Sequence, residues 1–278
     1  MIIDAHQHFW KYDPVRDAWM DESMQAIRKD FLPSDLKPIF DQHNIDGCVA
    51  VQADQSEEET RFLLNLAEQH PFVKAVVGWV DLQADNMEER LEHFSGYKNL
   101  VGFRHILQAE DPEKMLEPNF LRGIGALLNF GFTFDILIYP RHLDAAIELV
   151  RQFTEQKFVV DHMAKPNIKK GDFDSWAPKF EDLAGMDNVW CKISGLITEA
   201  DWNSWSPDEL RPYLDFTFEK FGTKRLLYGS DWPVCLLAGS YKQVYELIED
   251  YLAAFSDDEK RDVMGENALE FYGIDAAV

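Results

Sequence analysis

The chain has 278 residues, 46% hydrophobic and 28% charged, and its 27 basic against 50 acidic residues leave a net charge of −23. That size and balance suit one soluble globular domain spanning residues 1–278, and no apolar run approaches the roughly 20 residues that cross a bilayer. So acidic a surface repels phosphate backbones and anionic lipid, which argues against nucleic-acid and membrane partners and leaves a small-molecule substrate as the expected partner.

In chain order, short β-branched or aromatic segments recur at Ile2–Phe9, Cys48–Ala53, Ala75–Leu82, Leu100–Leu107, Phe132–Tyr139, Phe158–Ala164, Val189–Leu196 and Arg225–Trp232. These are eight candidate strands. Between them, Glu57–His70, Pro118–Phe130, Arg141–Glu155, Pro207–Phe221 and Ser240–Phe255 carry helical spacing, and Gly131 is placed to stop the second of these. Strands alternating with helices predict βαβ units and a parallel sheet. Eight units without a composition break favour closure into a (β/α)₈ TIM barrel over an open doubly wound sheet. The open sheet would want a Gly-rich phosphate loop after the first strand, and none is present.

The opening Met-Ile-Ile-Asp-Ala-His lacks a signal peptide's basic and apolar regions, so a cytoplasmic location is expected. Cys48, Cys191 and Cys235 are far apart, outside any C-x-x-C pair, and read as small core residues. The long first loop, Trp10–Phe31, is read either as a lid or pocket wall or as an ordered rim decoration.

Barrel enzymes carry their chemistry at the C-terminal ends of strands. The first strand ends His6-Gln7-His8, and residues two apart share a face, so both imidazoles are expected to aim at one place, with Asp4 deeper on that face. The fourth ends Arg104-His105, of which Arg104 is expected to point inward as a planar cation. On the fifth, Asp135, Leu137 and Tyr139 share one face. The sixth ends Asp161-His162, with His162 expected to face the site and Asp161 the other side. The seventh offers Lys192 and Ser194. The eighth ends Gly229-Ser230-Asp231-Trp232, where a buried carboxylate needs a metal, an imidazole or a water to justify it. Asp231, His162, His6, His8 and Arg104 are therefore the candidate catalytic residues, with Asp231 as general base. Arg104, Lys192, Tyr139 and Trp232 are candidate substrate-binding residues. Trp79, Trp202 and Trp232 are all candidates for stacking on a sugar ring.

This combination of His6-x-His8, His162 and Gly-Ser-Asp231-Trp-Pro resembles the amidohydrolase superfamily. It is similar, more narrowly, to the amidohydrolase-2 branch that contains sugar-lactone and aromatic-pathway lactone hydrolases; the opening Ile-Asp-Ala-His-Gln-His-Phe-Trp and the closing Gly-Glu-Asn-Ala-Leu-Glu-Phe-Tyr-Gly carry the same likeness. The resemblance implies the same barrel and the opening of a sugar-derived 1,4- or 1,5-lactone by an Asp-activated water. Many members hold one or two divalent metals. Here the fifth strand lacks the usual histidine, so the cofactor is left open between none and one divalent cation, zinc, on His6, His8, His162 and Asp231. Arg104, Lys165 and Lys192 are few cations for a dicarboxylate substrate. A metal-dependent decarboxylase or hydratase, and a non-catalytic binding protein, are the alternatives. Assembly is left between monomer and homodimer.

Overall fold

A computed structural model describes residues 1–275; the last three residues of the expected domain lie outside the described residues. Eight strands form one parallel sheet in sequential order: β1 (Ile3–Gln7), β2 (Gly47–Val51), β3 (Val73–Gly78), β4 (Leu100–Ile106), β5 (Thr133–Leu137), β6 (Phe158–Val160), β7 (Val189–Ile193) and β8 (Leu226–Tyr228). The seam between β8 and β1 closes just past the strands. There Gln7 bridges Trp232, the Asp231 N–H donates to the His6 carbonyl at 2.8 Å, and the His8 N–H donates to the Trp232 carbonyl at 2.7 Å. The expected barrel is the observed one.

Helices α1 (Pro33–His43), α2 (Glu57–Gln69), α3 (Met87–Ser95), α4 (Pro118–Leu127), α5 (Leu143–Gln152), α6 (Phe173–Ala184), a short α7 (Leu196–Glu199), α8 (Pro207–Phe221) and α9 (Tyr241–Leu252) follow the strands. Local chemistry sets their ends. Ser56 caps α2 by accepting from the Glu59 N–H, and three glutamates in the first turn favour its positive end. Gly131 takes a left-handed φ of 74° just after α4, where the chain turns toward β5. Helices α1, α3 and α6 are not among the expected ones; α1 and α6 carry internal prolines, Pro38 and Pro178.

Phe103, Phe134, Phe158 and Ile193 point outward and pack under the helices in one large apolar cluster. Val49, Val51, Val77, Val159 and Leu227 point inward and form a second cluster with Phe271 and Tyr272 of the terminal helices, α10 (Asp257–Arg261) and α11 (Asn267–Tyr272), of which α11 supplies both aromatics. The barrel interior is thus apolar at its floor and polar at its mouth. The three cysteines are buried and unpaired, as expected.

Two strands are far shorter than their apolar runs. β6 and β8 have three residues each, because Asp161 and Gly229 open irregular backbone that carries the reactive groups.

Candidate active site

The β1–β2 ladder slips between Asp4 and Gln7, and such an irregularity breaks strict alternation of side chains. His6 and His8 both reach the barrel mouth, with ring centroids 5.0 Å apart. Asp4, expected on their face, is instead turned away. Its Oδ1 accepts from the backbone N–H groups of Ser230 at 2.9 Å and His6 at 3.1 Å, and burial pushes its carboxyl up to about 6.

The end of β6 corrects a second expectation. Val159 faces the interior, so alternation carries Asp161 inward too, where it was expected to point away. The strand stops at Val160, and His162, Met163, Ala164 and Lys165 then adopt φ values of 53°, 53°, 58° and 52°. Left-handed backbone disfavours residues with a Cβ by about 1–2 kcal/mol each. Packing holds the turn: Met163 is buried, and Trp176 Nε1 donates to its carbonyl at 2.8 Å. In this turn His162 no longer alternates with Asp161, and both reach the same cluster. Gly195 makes room for the imidazole, since a Cβ there would lie 2.7 Å from His162 Nδ1.

Asp231 also has a left-handed φ, 55°, just beyond β8. Its Oδ1 lies 3.4 Å from His8 Nε2, 3.8 Å from His162 Nε2 and 3.9 Å from His6 Nε2. Its Oδ2 is buried and accepts no hydrogen bond from the described residues. Three imidazoles, two from the end of β1 and one from beyond β6, therefore converge on one carboxylate. Burial alone would raise that carboxyl. His162, the adjacent His8 and the Lys165 charge outweigh burial and hold it below its ordinary value. Burial keeps His6 and His162 well below the usual imidazole range, so both rings are neutral near pH 7.

Each ring is aimed by a second contact. His8 Nδ1 lies 2.7 Å from the Val51 carbonyl, and His162 Nδ1 lies 2.7 Å from Ser194 Oγ. A carbonyl only accepts, so His8 carries a proton on Nδ1. In the neutral ring Nε2 then presents a lone pair to Asp231, a pairing that wants a proton or a cation between the two. His6, His8 and Asp231 bring three ligand atoms within 4.8 Å of one another. That donor set suits a divalent ion such as zinc.

Beneath the cluster runs a buried ionic network. Arg104 Nη1 donates to Asp161 Oδ2 at 3.0 Å and to His6 Nε2 at 3.2 Å. Arg104 is braced by Gln52, whose Oε1 accepts from Nε at 3.0 Å and whose carbonyl accepts from Nη2. Lys192 Nζ lies 2.5 Å from Asp135 Oδ2 and 3.0 Å from Asp161 Oδ1, and Tyr272 donates to Asp135 at 2.9 Å. Burial raises the Asp161 carboxyl, but Lys192, His6 and Arg104 more than offset it and hold it well below its usual range. Burial leaves Asp135 raised to about 6 despite Lys192.

A cavity of about 440 Å³ opens over these groups. His8, Arg104, Tyr139, His162, Lys165 and Asp231 line its polar side; Trp10, Trp19, Met24, Ile106, Leu137 and Val234 line the rest. Of the expected substrate-binding residues, Arg104 and Tyr139 face the cavity. Lys192 does not: it is fully buried in the network below. Trp232 does not either, being packed edge-on against Phe31 and Phe9 at centroid distances of 5.1 and 6.2 Å. Trp79 and Trp202 lie elsewhere, the first beside His105 and the second bonded to the Thr198 carbonyl. The cavity tryptophans come instead from the first loop, which acts as a pocket wall. Its neck is closed by paired hydrogen bonds between Trp10 and Phe31 of 3.0 and 2.9 Å.

The family model described as amidohydrolase, Amidohydro_2, matches residues 3–274. The chain belongs to the amidohydrolase family. Among relatives of this amidohydrolase, an L-fucono-1,5-lactonase of Burkholderia ambifaria is 38% identical across 98% of this chain and 96% of its own. An L-fucono-1,5-lactonase of Burkholderia multivorans is 36% identical over the same shares. A crystal structure of an amidohydrolase from Burkholderia multivorans with bound zinc superposes with a TM-score of 0.96 at 35% identity, covering 99% of this chain and 100% of that one. The resemblance read from the His-x-His pair, His162 and Asp231 is thus borne out at the level of the family.

Asp161, Gln52 and Lys165 are the site groups that the strand-end reading did not select. Alternation from Val159 would have found Asp161. No periodic signal marks the other two, because Gln52 lies past the end of β2 and Lys165 lies in the left-handed turn.

Proposed function

We propose that this amidohydrolase hydrolyses a sugar-derived aldono-1,4- or 1,5-lactone to its hydroxy acid. The observation that carries the reading is the state of Asp231, a residue of the cavity wall: one carboxylate oxygen faces three imidazoles while the other accepts no hydrogen bond from the described residues. A carboxylate so held is ionised and oriented, which a general base requires. The names of the two Burkholderia relatives support a lactone as substrate. The loop tryptophans beside polar donors suit a sugar ring, with its apolar C–H face and hydroxyl edge.

In this mechanism Asp231 Oδ2 takes a proton from a water as the water oxygen bonds to the lactone carbonyl carbon. The carbonyl π pair moves onto its oxygen, where Arg104 and the Nε2 edge of His162 meet the charge. Fixed donors are effective in such a dry site because they need no reorganisation. The intermediate then collapses, the bond from the carbonyl carbon to the ring oxygen breaks, and the Asp231 carboxyl returns its proton to that oxygen. His6, His8 and Asp231, with or without His162, are the residues that would hold a zinc ion, which when bound supplies Lewis acidity to the carbonyl oxygen or acidity to a water.

We also read residues 1–278 as one domain, supported by a single sheet of eight strands. A reducing, cytoplasmic setting accords with three unpaired cysteines. No helix among the described residues is long and apolar enough to cross a membrane.

The test is a panel of aldonolactones followed with a pH indicator, because ring opening releases a proton, run with and without a strong chelator. Opening of at least one sugar lactone at rates far above buffer is expected. Failure across both ring sizes and all sugar configurations in the panel would overturn the reading.

A further inference from the structure

The left-handed turn after β6 delivers more than His162. The Lys165 N–H donates to the His162 carbonyl at 2.8 Å, so the turn repeats after three residues and both side chains emerge into the same cavity. The two residues between them face the opposite way, into the core, where Met163 and Ala164 are fully buried. Four consecutive residues with a Cβ in left-handed backbone form a conformation that proteins keep where the surroundings enforce it and a site uses it. The turn sets an imidazole and an ammonium, three residues apart, on one wall of the cavity.

The ammonium is built in. Lys165 Nζ is fixed by Glu199 Oε1 at 2.9 Å, at the end of α7, and its side chain is 13% exposed. Although burial favours the neutral amine, Glu199 and Asp231 outweigh it and raise the ammonium above its ordinary value. Its ion pair with Glu199 makes it a standing cation at the cavity wall. Arg104, the other cavity cation, is tied on three sides by Asp161, His6 and Gln52. Lys165 Nζ pairs with Glu199 on one side and can turn its remaining N–H bonds to a ligand.

On the functional reading above, we propose that Lys165 is a further catalytic residue, its ammonium donating a hydrogen bond to the lactone oxygen that gains charge as the ring opens. No proton leaves Lys165: the electron pair of the breaking C–O bond goes to the ring oxygen, the proton comes from Asp231, and the ammonium lowers the charge that must build up meanwhile.

The experiment compares wild type with Lys165→Ala and Lys165→Met on an aldonolactone that the wild type opens. The expected result is a kcat at least 100-fold lower with KM changed less than fivefold. Added methylammonium should recover at least tenfold of the Ala variant's loss in a saturable way, while tetramethylammonium, which has no N–H, should not. A kcat within threefold of wild type overturns the proposal, as does a loss confined to KM or one that methylammonium does not repair. Should the Ala variant fail to fold, the Met variant, which keeps length without charge, is judged by the same kcat criterion. A wild type inactive on every lactone overturns the functional reading itself, a result distinct from an active wild type with an indifferent Lys165.

Discussion

Nε2 of His8 stands 3.4 Å from Oδ1 of Asp231, and the other nitrogen of the ring is pinned to the Val51 carbonyl. The ring is therefore aimed by the β2 backbone, and the carboxylate by the irregular exit from β8. Neither group is free to drift, and Asp231 is held at the cavity wall with one oxygen toward the imidazoles and the other without a hydrogen-bond partner among the described residues.

Replacing Asp231 with Asn keeps the shape and removes the base. General-base catalysis contributes roughly 10²–10⁴-fold, so Asp231→Asn should lower kcat by about that factor. Steady-state kinetics beside a thermal melt checks this. Near-wild-type turnover in a folded variant would show that another group takes the proton.

Asp161 neutralises two buried cations at once, Arg104 at 3.0 Å and Lys192 at 3.0 Å. Removing one partner of a buried pair leaves uncompensated charge, which destabilises by about 3–5 kcal/mol. Asp161→Asn should therefore lose stability on that scale in urea unfolding. It should lose activity as well, since Arg104 and His6 both lean on it. A loss below about 1 kcal/mol would mean that the network relaxes or that water compensates it.

The Glu59 carboxyl, buried at the start of α2, is raised to about 8, with the N–H groups of Ala53 and Asp54 only partly offsetting burial. Between its unfolded value near 4.5 and that of the fold near 8, the native state holds a proton that the unfolded chain has released. Stability from this group is therefore full below pH 4.5 and is lost as pH rises toward 8. Glu59→Gln should remove that trend, so that its stability relative to wild type grows from pH 5 to pH 8.5. Parallel unfolding curves at the two pH values would refute the assignment.

Zinc added to metal-free protein should raise the melting temperature by a few degrees, because an ion that binds only the folded state stabilises it by about 2.7 kcal/mol at one hundred times its Kd. His8→Ala should abolish the rise by removing one of the three convergent ligands. An equal rise in the variant would move the ion elsewhere.

The fold was legible because alternation of apolar runs and helical stripes is a local property. His6, His8, Arg104, His162 and Asp231 were legible because a barrel exposes whatever follows its strands, so position along the chain stood in for position in space. Short-range rules failed where the backbone left regular geometry. Strict alternation put Asp4 beside the histidines, and counting from His162 put Asp161 away from them. A register slip in β1 turned Asp4 aside, and the early end of β6 brought His162 to the same cluster as Asp161, which alternation from Val159 already carries inward.

By itself, then, the chain's pattern of residues determined the barrel, the family and the strand ends that carry His6, His8, Arg104, His162 and Asp231. Tertiary structure alone decided which side chains reach the cavity. Lys192 looked like a ligand-binding cation and is consumed by Asp135 and Asp161, whereas Lys165 is carried into the pocket by four left-handed residues. Trp232 is spent on packing against Phe9 and Phe31, while Trp10 and Trp19 of the folded-back loop form the wall. The reason is that burial and charge compensation depend on partners distant in sequence, which no local periodicity encodes.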